Sequence, residues 1–232
     1  MKEKVSRGTD CMIMILGHDH HSYKVRLESV RQALGLAQPL DVILYQLVKM
    51  KEGGQQVRMS KRTGAIVTLE DVIKTVGTDV ARFFYLNRKA DAQLEFDLDL
   101  ALKKTEENPV YYAQYALVRT ISIMAKADEE KDFANLSEDD IKHISTTEAH
   151  LIKKISELKD LLETISKNYQ THLLAYYVLE LAKSFHSYYA KNRVIDMENV
   201  TRSRGRLLLI TLLQQTFKTA FKLLGISSPE KM

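Results

Sequence analysis

The second half of the chain repeats apolar residues at helical spacing and contains no strand-like run. From Glu107 to the C-terminus, apolar positions recur every three to four residues, which is the pattern of helices that bury one face. Pro109 opens the first of these stretches, and Gly225 follows the last, as expected for the first turn and the end of a helix. Four such stretches predict an antiparallel helical bundle, with its boundary near residues 104–108.

The first fifty residues have a different pattern. A continuous apolar run from Cys11 to Leu16 is typical of a strand covered on both faces. A stretch of helical periodicity (25–34) and a second apolar run (42–48) follow it. Strand, helix and strand with short connections form half of a parallel nucleotide-binding sheet. The predicted fold class is therefore a partial Rossmann-like α/β half followed by an all-α helical bundle, mostly α overall.

A polar pentapeptide follows the first predicted strand, where ligands of parallel sheets bind. It runs from Gly17 to His21 and contains Asp19 and three histidines. Adjacent histidines point apart and no acidic or thiol partner lies at ligand spacing, which argues against a metal site. Two interpretations stay open, namely a polar loop that caps the next helix and a close approach of the backbone to a ligand.

A basic, glycine-flanked loop lies between the two halves. The run from Val57 to Gly64 carries three cations, with a hydroxyl on either side of Lys61, and Gly53 and Gly54 precede it. Glycines allow backbone amides to approach an anion, and lysine acts as a rotatable point charge against phosphate oxygens. The loop therefore favours a polyphosphate ligand, although a solvated basic turn would have the same composition.

Two stripes lie on the first helix of the predicted bundle. Ala113, Leu117, Ile121 and Met124 form an aliphatic face. Tyr112, Tyr115 and Arg119 lie on a second stripe, turned away from the first. Tyrosines at this spacing often pack on a neighbouring helix. Because the aliphatic face is already complete, the second stripe is predicted to face outward, where tyrosine and arginine can stack with unpaired bases.

Composition limits the class of protein. With 232 residues and 45% apolar content, the chain can bury a real core. A single cysteine, Cys11, excludes an internal disulfide and fits a reducing compartment. No apolar stretch approaches membrane length and no signal region follows the N-terminus, so we expect a cytoplasmic, monomeric protein. The sequence from Lys183 to the C-terminus contains nine Lys/Arg and three Asp/Glu. This local excess of positive charge favours contact with a phosphate backbone.

Several of these segments resemble the arginyl-tRNA synthetases of class I. The run Arg58-Met59-Ser60-Lys61-Arg62 resembles their KMSKS loop, with arginine at the first and last positions, and Gly17 to His21 resembles their Gly-Ala-Asp-His-His segment, although Ser22 replaces the usual next glycine. Further segments that resemble this family are 76–84, 94–99 and the end of the chain at 223–232. The stretch from Asn108 to Arg119 is similar to the opening of the DALR-type anticodon-binding domain, with Leu117 in place of the usual histidine.

This resemblance implies three segments and a set of site residues. Residues 1–50 would be the second half of the catalytic domain, 51–106 the KMSKS-like loop with a helical connector, and 107–232 the anticodon-binding domain. Lys61 would be catalytic, neutralising ATP phosphates, and the implied ATP-binding residues are Gly17, Asp19, His20, Met59, Ser60, Lys61 and Arg62. The implied tRNA-binding residues are Tyr112, Tyr115, Arg119 and the C-terminal Met232.

The implied partners are tRNA(Arg), ATP and arginine, with Mg²⁺ arriving on the ATP rather than in a protein-bound metal site. The 232 residues contain no His-x-Gly-His element and no upstream arginine pocket, so we expect that this polypeptide alone binds tRNA but does not aminoacylate it. A natural truncated tRNA-binding module and a helical scaffold for a protein partner are the alternatives.

Overall fold

A computed structural model describes residues 1–57, 68–134 and 136–232. Contacts divide them into two compact units. The first unit takes in residues 1–57 and 88–97, and the second takes in 68–87 and the described residues of 98–232. The chain therefore leaves the first unit, returns to it for ten residues and leaves it again.

The first unit contains the predicted strand, helix and strand. After a short helix α1 (Lys2–Ser6), strand β1 (Met12–Gly17) lies parallel to β2 (Leu40–Tyr45), and helix α2 (Tyr23–Ala33) connects them. Met12 pairs with Leu40, and the register continues without a bulge to the other end of β1. This part of the predicted fold class is confirmed.

One face of this small sheet is open, which contradicts the prediction of a strand covered on both faces. Met12 is buried, whereas Ile13 is 46% exposed and Ile15 is 64% exposed. Successive side chains of a strand point to opposite faces, and in the described structure no layer covers the face of the two isoleucines. The apolar run identified the strand correctly but not its surroundings.

The same unit holds a second small sheet. Strand β3 (Val48–Glu52) turns through Gly53 and Gly54 into β4 (Gln55–Gln56). Both glycines have positive φ, 57° and 76°, which is the backbone that a tight antiparallel hairpin requires and that glycine adopts without strain. Strand β5 (Leu94–Asp97) pairs with β3 in parallel on its other edge.

The second unit begins with three short helices. They are α3 (Leu69–Val76), α4 (Thr78–Leu86) and α5 (Leu98–Leu102). Thr68 caps α3 as the sequence predicts, because its side chain accepts from the Asp71 N–H while the Asp71 carboxylate accepts from the Thr68 N–H. This reciprocal capping box satisfies two amides that a helix start leaves free.

Four long helices complete the second unit. They are α6 (Pro109–Asp128), α7 (Ala149–Asn168), α8 (His172–Tyr189) and α9 (Val200–Leu224), with 3₁₀ turns at Lys131–Phe133, Glu138–His143 and Met197–Asn199. The core lies between α6, α8 and α9, where large side chains such as Leu117, Leu181, Phe185, Phe217 and Phe221 are fully buried. The predicted all-α helical bundle is confirmed.

Helix α6 buries more of its circumference than the predicted aliphatic stripe. Ala113 and Leu117 are buried, but Ile121 and Met124 are only half-buried. Val118 and Ile123, outside the stripe, are buried as well. Helix α6 contacts α4, α8 and α9, and a helix with neighbours on several sides needs apolar residues around most of its surface.

Two helix boundaries differ from what the local sequence indicates. Ser137 is typical of an N-cap for the second long helix, but it caps the 3₁₀ turn that precedes α7, through Asp140. The polar residues 193–204 are typical of a connection, but Asn199 accepts from the Arg202 N–H and α9 starts at Val200.

One helix is long enough to cross a membrane, contrary to the prediction that no stretch approaches that length. The segment Met197–Leu224 meets the length and composition of a membrane span, and half of its most apolar window is buried inside the protein. The core helix of a soluble bundle meets the same criterion, so the segment is weak support for a membrane protein.

Candidate nucleic-acid interface

A groove of about 800 Å³ opens beside the predicted tyrosine and arginine stripe. We call it the first groove. One wall is helix α6 and the other is the end of α8 with the segment that follows it. The lining side chains used below are Tyr115, Arg119, Lys126, Glu130, Tyr189, Lys191, Asn192 and Arg193.

Arg119 lies between the rings of Tyr115 and Tyr189 in the first groove. Its guanidinium carbon is 4.7 Å from the centroid of Tyr115 and 4.9 Å from that of Tyr189. Its Nη2 donates to the Tyr115 hydroxyl at 2.6 Å. Two cation–π contacts and a charge-assisted hydrogen bond hold the guanidinium in place. The groove therefore presents a preorganised flat cation edged by aromatic rings.

Tyr112 has a different environment from Tyr115. Its ring lies 4.8 Å from the His186 ring, which also stacks with Tyr115 at 5.8 Å. Burial raises the pKa of the Tyr112 hydroxyl, and the charges of Glu106 and Glu180 act in the same direction. Tyr112 does not line the first groove. The predicted stripe therefore divides into a groove pair, Tyr115 and Arg119, and a packing residue, Tyr112.

The His186 ring packs against the rings of both Tyr112 and Tyr115. Burial lowers its pKa, so the neutral imidazole is favoured. Its Nε2 is buried and has no hydrogen-bond partner among the described residues. A protonated ring would place a charge against the rings and close to Arg119, which also lowers this pKa.

The groove has an excess of positive charge. Lys126, Lys191 and Arg193 line it together with Arg119, and Glu130 is the acidic residue of the lining. In the described part of the chain, none of those three cations forms an ion pair. Unpaired cations beside an open groove attract a polyanion.

A buried ion pair holds the wall that contains Arg193. Arg206 Nε donates to the Glu148 carboxylate at 2.9 Å, and its Nη1 donates to the Arg193 carbonyl at 2.7 Å. The Tyr188 hydroxyl donates to the same carboxylate at 3.0 Å. Burial raises the pKa of Glu148, but the hydrogen bonds from Ser145, Tyr188 and Arg206 outweigh it and the net pKa is lowered. The charged pair is therefore satisfied inside the bundle.

The C-terminal tail is tied to helices α4 and α6. Asp79 accepts from the Ser227 N–H at 3.0 Å and from the Ser227 hydroxyl. Gln114 Nε2 donates to Asp79 at 2.9 Å and to the Ser227 carbonyl at 3.2 Å. Met232, five residues beyond this anchor, is 50% exposed. Gln114 therefore holds the tail.

In the first unit, the pentapeptide forms an exposed 3₁₀ turn after β1. The turn covers His18–His20, and Gly17 is its N-cap. A methyl group at Gly17 would lie 2.6 Å from the Asp19 carboxylate oxygen, so a larger residue at this position would displace the exposed Asp19 side chain. His20 Nε2 is 3.6 Å from Asp19 Oδ2. The His20 ring packs edge-on against the Tyr23 ring, with 5.2 Å between the ring centroids.

Met59, Ser60, Lys61 and Arg62 lie outside the described residues, so their predicted roles remain predictions. Among the residues that are described, no group of three or more His, Cys, Asp or Glu side chains could hold a metal ion.

Comparison with known proteins identifies the family. Residues 113–232 match the DALR anticodon binding domain, and residues 10–147 match the profile of tRNA synthetases class I (K). The chain is 42% identical over its whole length to the arginine–tRNA ligase of Bacillus pumilus and 43% identical to that of Citrifermentans bemidjiense. The chain belongs to the arginyl-tRNA synthetase family. It corresponds to the C-terminal portion of the chains of that family.

The structure agrees with this assignment. A solved protein from Campylobacter jejuni described as an arginyl-tRNA synthetase superposes with a TM-score of 0.88 at 31% identity, over 100% of this chain and 50% of that one. The chain spans 42% of the length of the two arginine–tRNA ligases. The synthetase activity of those proteins therefore belongs to chains more than twice as long.

Sequence reasoning missed part of the first groove. Tyr189, Lys191 and Arg193 form a wall of it, and none of the three is among the site residues predicted from the sequence. His186 is not among the site residues predicted from the sequence, but it packs on both tyrosines of the stripe. The two cations Lys191 and Arg193, close together in the sequence, were the local pattern that could have indicated this wall. Their partner Arg119 lies more than seventy residues away in the sequence.

Proposed function

We propose that this chain is the tRNA-binding part of an arginine–tRNA ligase, and that the first groove takes an unpaired base of the anticodon loop of tRNA(Arg). The observation that carries the proposal is the guanidinium of Arg119 fixed between Tyr115 and Tyr189. It lies on the wall of an open groove that is also lined by Lys126, Lys191 and Arg193, which form no ion pair with the described residues.

The chemistry of the groove suits single-stranded RNA. Proteins read unpaired bases by stacking them on aromatic rings or arginine planes. The cations of the rim match the phosphates that would accompany such a base. A groove for an acidic peptide would use the same cations but would gain little from two stacked rings.

Met232 is proposed to contact the same loop. The Asp79 anchor fixes the tail at Ser227, and the exposed thioether of Met232 is flexible and polarizable enough to lie against a base. Asp79 and Gln114 then act as positioning residues for the tail.

The catalytic roles belong to the longer protein. There, arginine and ATP would form arginyl-adenylate, and the arginyl group would pass to tRNA. Lys61 is proposed to stabilise the charge that develops on the ATP phosphates, with Mg²⁺ bound to the ATP. The other residues proposed for the ATP site are Gly17, Asp19, His20, Met59, Ser60 and Arg62. We propose that the protein works in the cytoplasm as a monomer.

Filter binding with a tRNA(Arg) transcript at two salt concentrations tests the proposal. We expect binding that weakens steeply with salt. Tyr115→Ala and Arg119→Ala should each weaken it about 5- to 150-fold, because stacking is worth about 1–3 kcal/mol per base. The control is Tyr115→Phe, which keeps the ring and should lose much less.

Two further results would contradict the proposal. Affinity that is unchanged in both alanine variants, with helicity intact by circular dichroism, would make the groove structural. Indifference of the chain to RNA would favour a helical scaffold for a protein. In the same preparation, arginine, ATP and tRNA(Arg) should give no aminoacylated product, since most of the catalytic site lies outside this chain in our proposal. Turnover would refute that part.

A further inference from the structure

A second groove of about 410 Å³ lies at the start of helix α7 and along α8. Its lining includes hydroxyl groups of Thr147, Ser184 and Ser187, the His150 imidazole and the ammonium groups of Lys183 and Lys191. None of these residues is part of the base site proposed above, except Lys191, which lines both grooves.

The lysines of the second groove are available to a ligand. On helix α7, Lys154 pairs with Glu157 and Lys167 pairs with Glu163, each about one turn away. Within the described structure Lys183 and Lys191 form no such pair. The carboxylate among the lining residues is Glu180, so two lysines face one acid.

The last-turn carbonyl of Tyr188 in helix α8 does not use the ammonium group of either lysine. The Tyr188 carbonyl accepts from the Asn192 side chain at 2.9 Å and from the Lys191 N–H at 3.1 Å. Both acceptor positions of this last-turn carbonyl are therefore filled. The Lys191 ammonium is not required there and can meet an external anion.

The remaining donors fit the oxygens of a phosphate. The Ser184 hydroxyl and His150 Nε2 share a hydrogen bond of 3.3 Å. When the imidazole N–H donates to Ser184 Oγ, the hydroxyl hydrogen of Ser184 is available to an external acceptor. Hydroxyl groups and two ammonium groups donate to phosphate oxygens without a fixed bidentate geometry. A phosphodiester, whose two non-bridging oxygens share one negative charge, matches this set better than a base edge does.

Continuity between the grooves indicates where the phosphate comes from. Lys191 and Asn192 line both grooves and form the ridge between them. We propose that the second groove binds a backbone phosphodiester of the same RNA strand whose unpaired base lies in the first groove. The inference rests on the proposed RNA-binding function, and it adds Lys183 and Ser184 as backbone contacts, with His150 orienting the Ser184 hydroxyl.

The salt dependence of tRNA binding tests the inference. Lys183 lines the second groove alone, so Lys183→Gln should reduce the slope of log affinity against log salt by about 0.7–0.9, the amount for one phosphate contact. Lys159→Gln is the matched control, because Lys159 is an exposed lysine of α7 that lines neither groove. It should leave the slope unchanged. Equal slopes in the two variants would overturn the inference.

A second readout does not depend on RNA. Inorganic pyrophosphate should shift the His150 side-chain resonances in an NMR titration of the full chain, and Lys183→Gln should reduce the shift. Acetate should shift them far less. Equal effects of acetate and pyrophosphate, or no effect of pyrophosphate, would overturn the assignment to phosphate.

The two experiments separate failure of this inference from failure of the base site. If Tyr115→Ala weakens tRNA binding while Lys183→Gln leaves the slope intact, the base site stands and the phosphate site falls. If Lys183→Gln lowers the slope while Tyr115→Ala has no effect, the phosphate site stands alone.

Discussion

The junction between Arg82 and Gly225 allows a quantitative test of how the bundle holds its C-terminal tail. Gly225 ends helix α9 with φ +68°, in the left-handed region. A Cβ at this position would lie 2.5 Å from Arg82 Nε and 2.7 Å from its Cζ. That guanidinium donates to the Leu224 carbonyl at 2.7 Å. Gly225→Ala therefore strains the backbone and displaces a hydrogen-bonded arginine.

The expected cost has two parts. An L-residue in the left-handed region costs about 1 kcal/mol relative to glycine. Displacing Arg82 loses a hydrogen bond from a charged group, worth about 1–2 kcal/mol at this partly exposed site. Gly225→Ala should therefore lower the free energy of unfolding by about 2–3 kcal/mol, the sum of these two parts.

A double-mutant cycle separates the parts. In an Arg82→Ala background the arginine is gone, so Gly225→Ala should cost only the backbone strain, about 1 kcal/mol. The coupling energy should then be about 1–2 kcal/mol. The chain has no tryptophan, so urea unfolding followed by circular dichroism at 222 nm is the suitable assay. Additive costs, within about 0.5 kcal/mol, would refute the described contact.

Two further variants test the buried groups of the bundle. Arg206→Met leaves the Glu148 carboxylate, 1% exposed, without its cation and should lower the free energy of unfolding by about 3–5 kcal/mol. Adding Glu148→Gln should restore part of that free energy, as measured by urea unfolding. No restoration would contradict the pairing. Burial lowers the pKa of His186, so the folded state binds fewer protons than the unfolded state below about pH 6.5. The free energy of unfolding should therefore fall between pH 7 and 5, less so in His186→Gln, and identical pH profiles would contradict this prediction.

Local sequence signals predicted much of the fold. The hydrophobic run at 11–16, the Thr68 cap and the glycine at 225 each depend on residues close in sequence, and the structure confirms all three elements. Ser137 shows the limit of such signals. A serine followed three residues later by Asp140 makes a capping box on a 3₁₀ turn as well as on an α-helix.

The candidate site was less predictable because its contacts are distant in sequence. Helical spacing placed Tyr115 and Arg119 on one stripe, and the groove contains both. Tyr112 shares that stripe but packs on His186, from another helix. Gln114 lies between the tyrosines and binds the tail. A single-helix pattern cannot specify which partner a neighbouring helix will supply.

The parallel pairing of β3 with β5 also has a consequence for synthesis. Val48 pairs with Leu94, and helices α3 and α4 of the other unit lie between them in the sequence. At a ribosomal rate of about 5–20 residues per second, β3 waits several seconds for its second neighbour while the intervening helices emerge. During that interval a β3–β4 hairpin with a vacant edge is exposed to other strands. Nascent chains arrested before β5 has emerged from the ribosome should therefore depend more on chaperones than chains arrested after it has emerged.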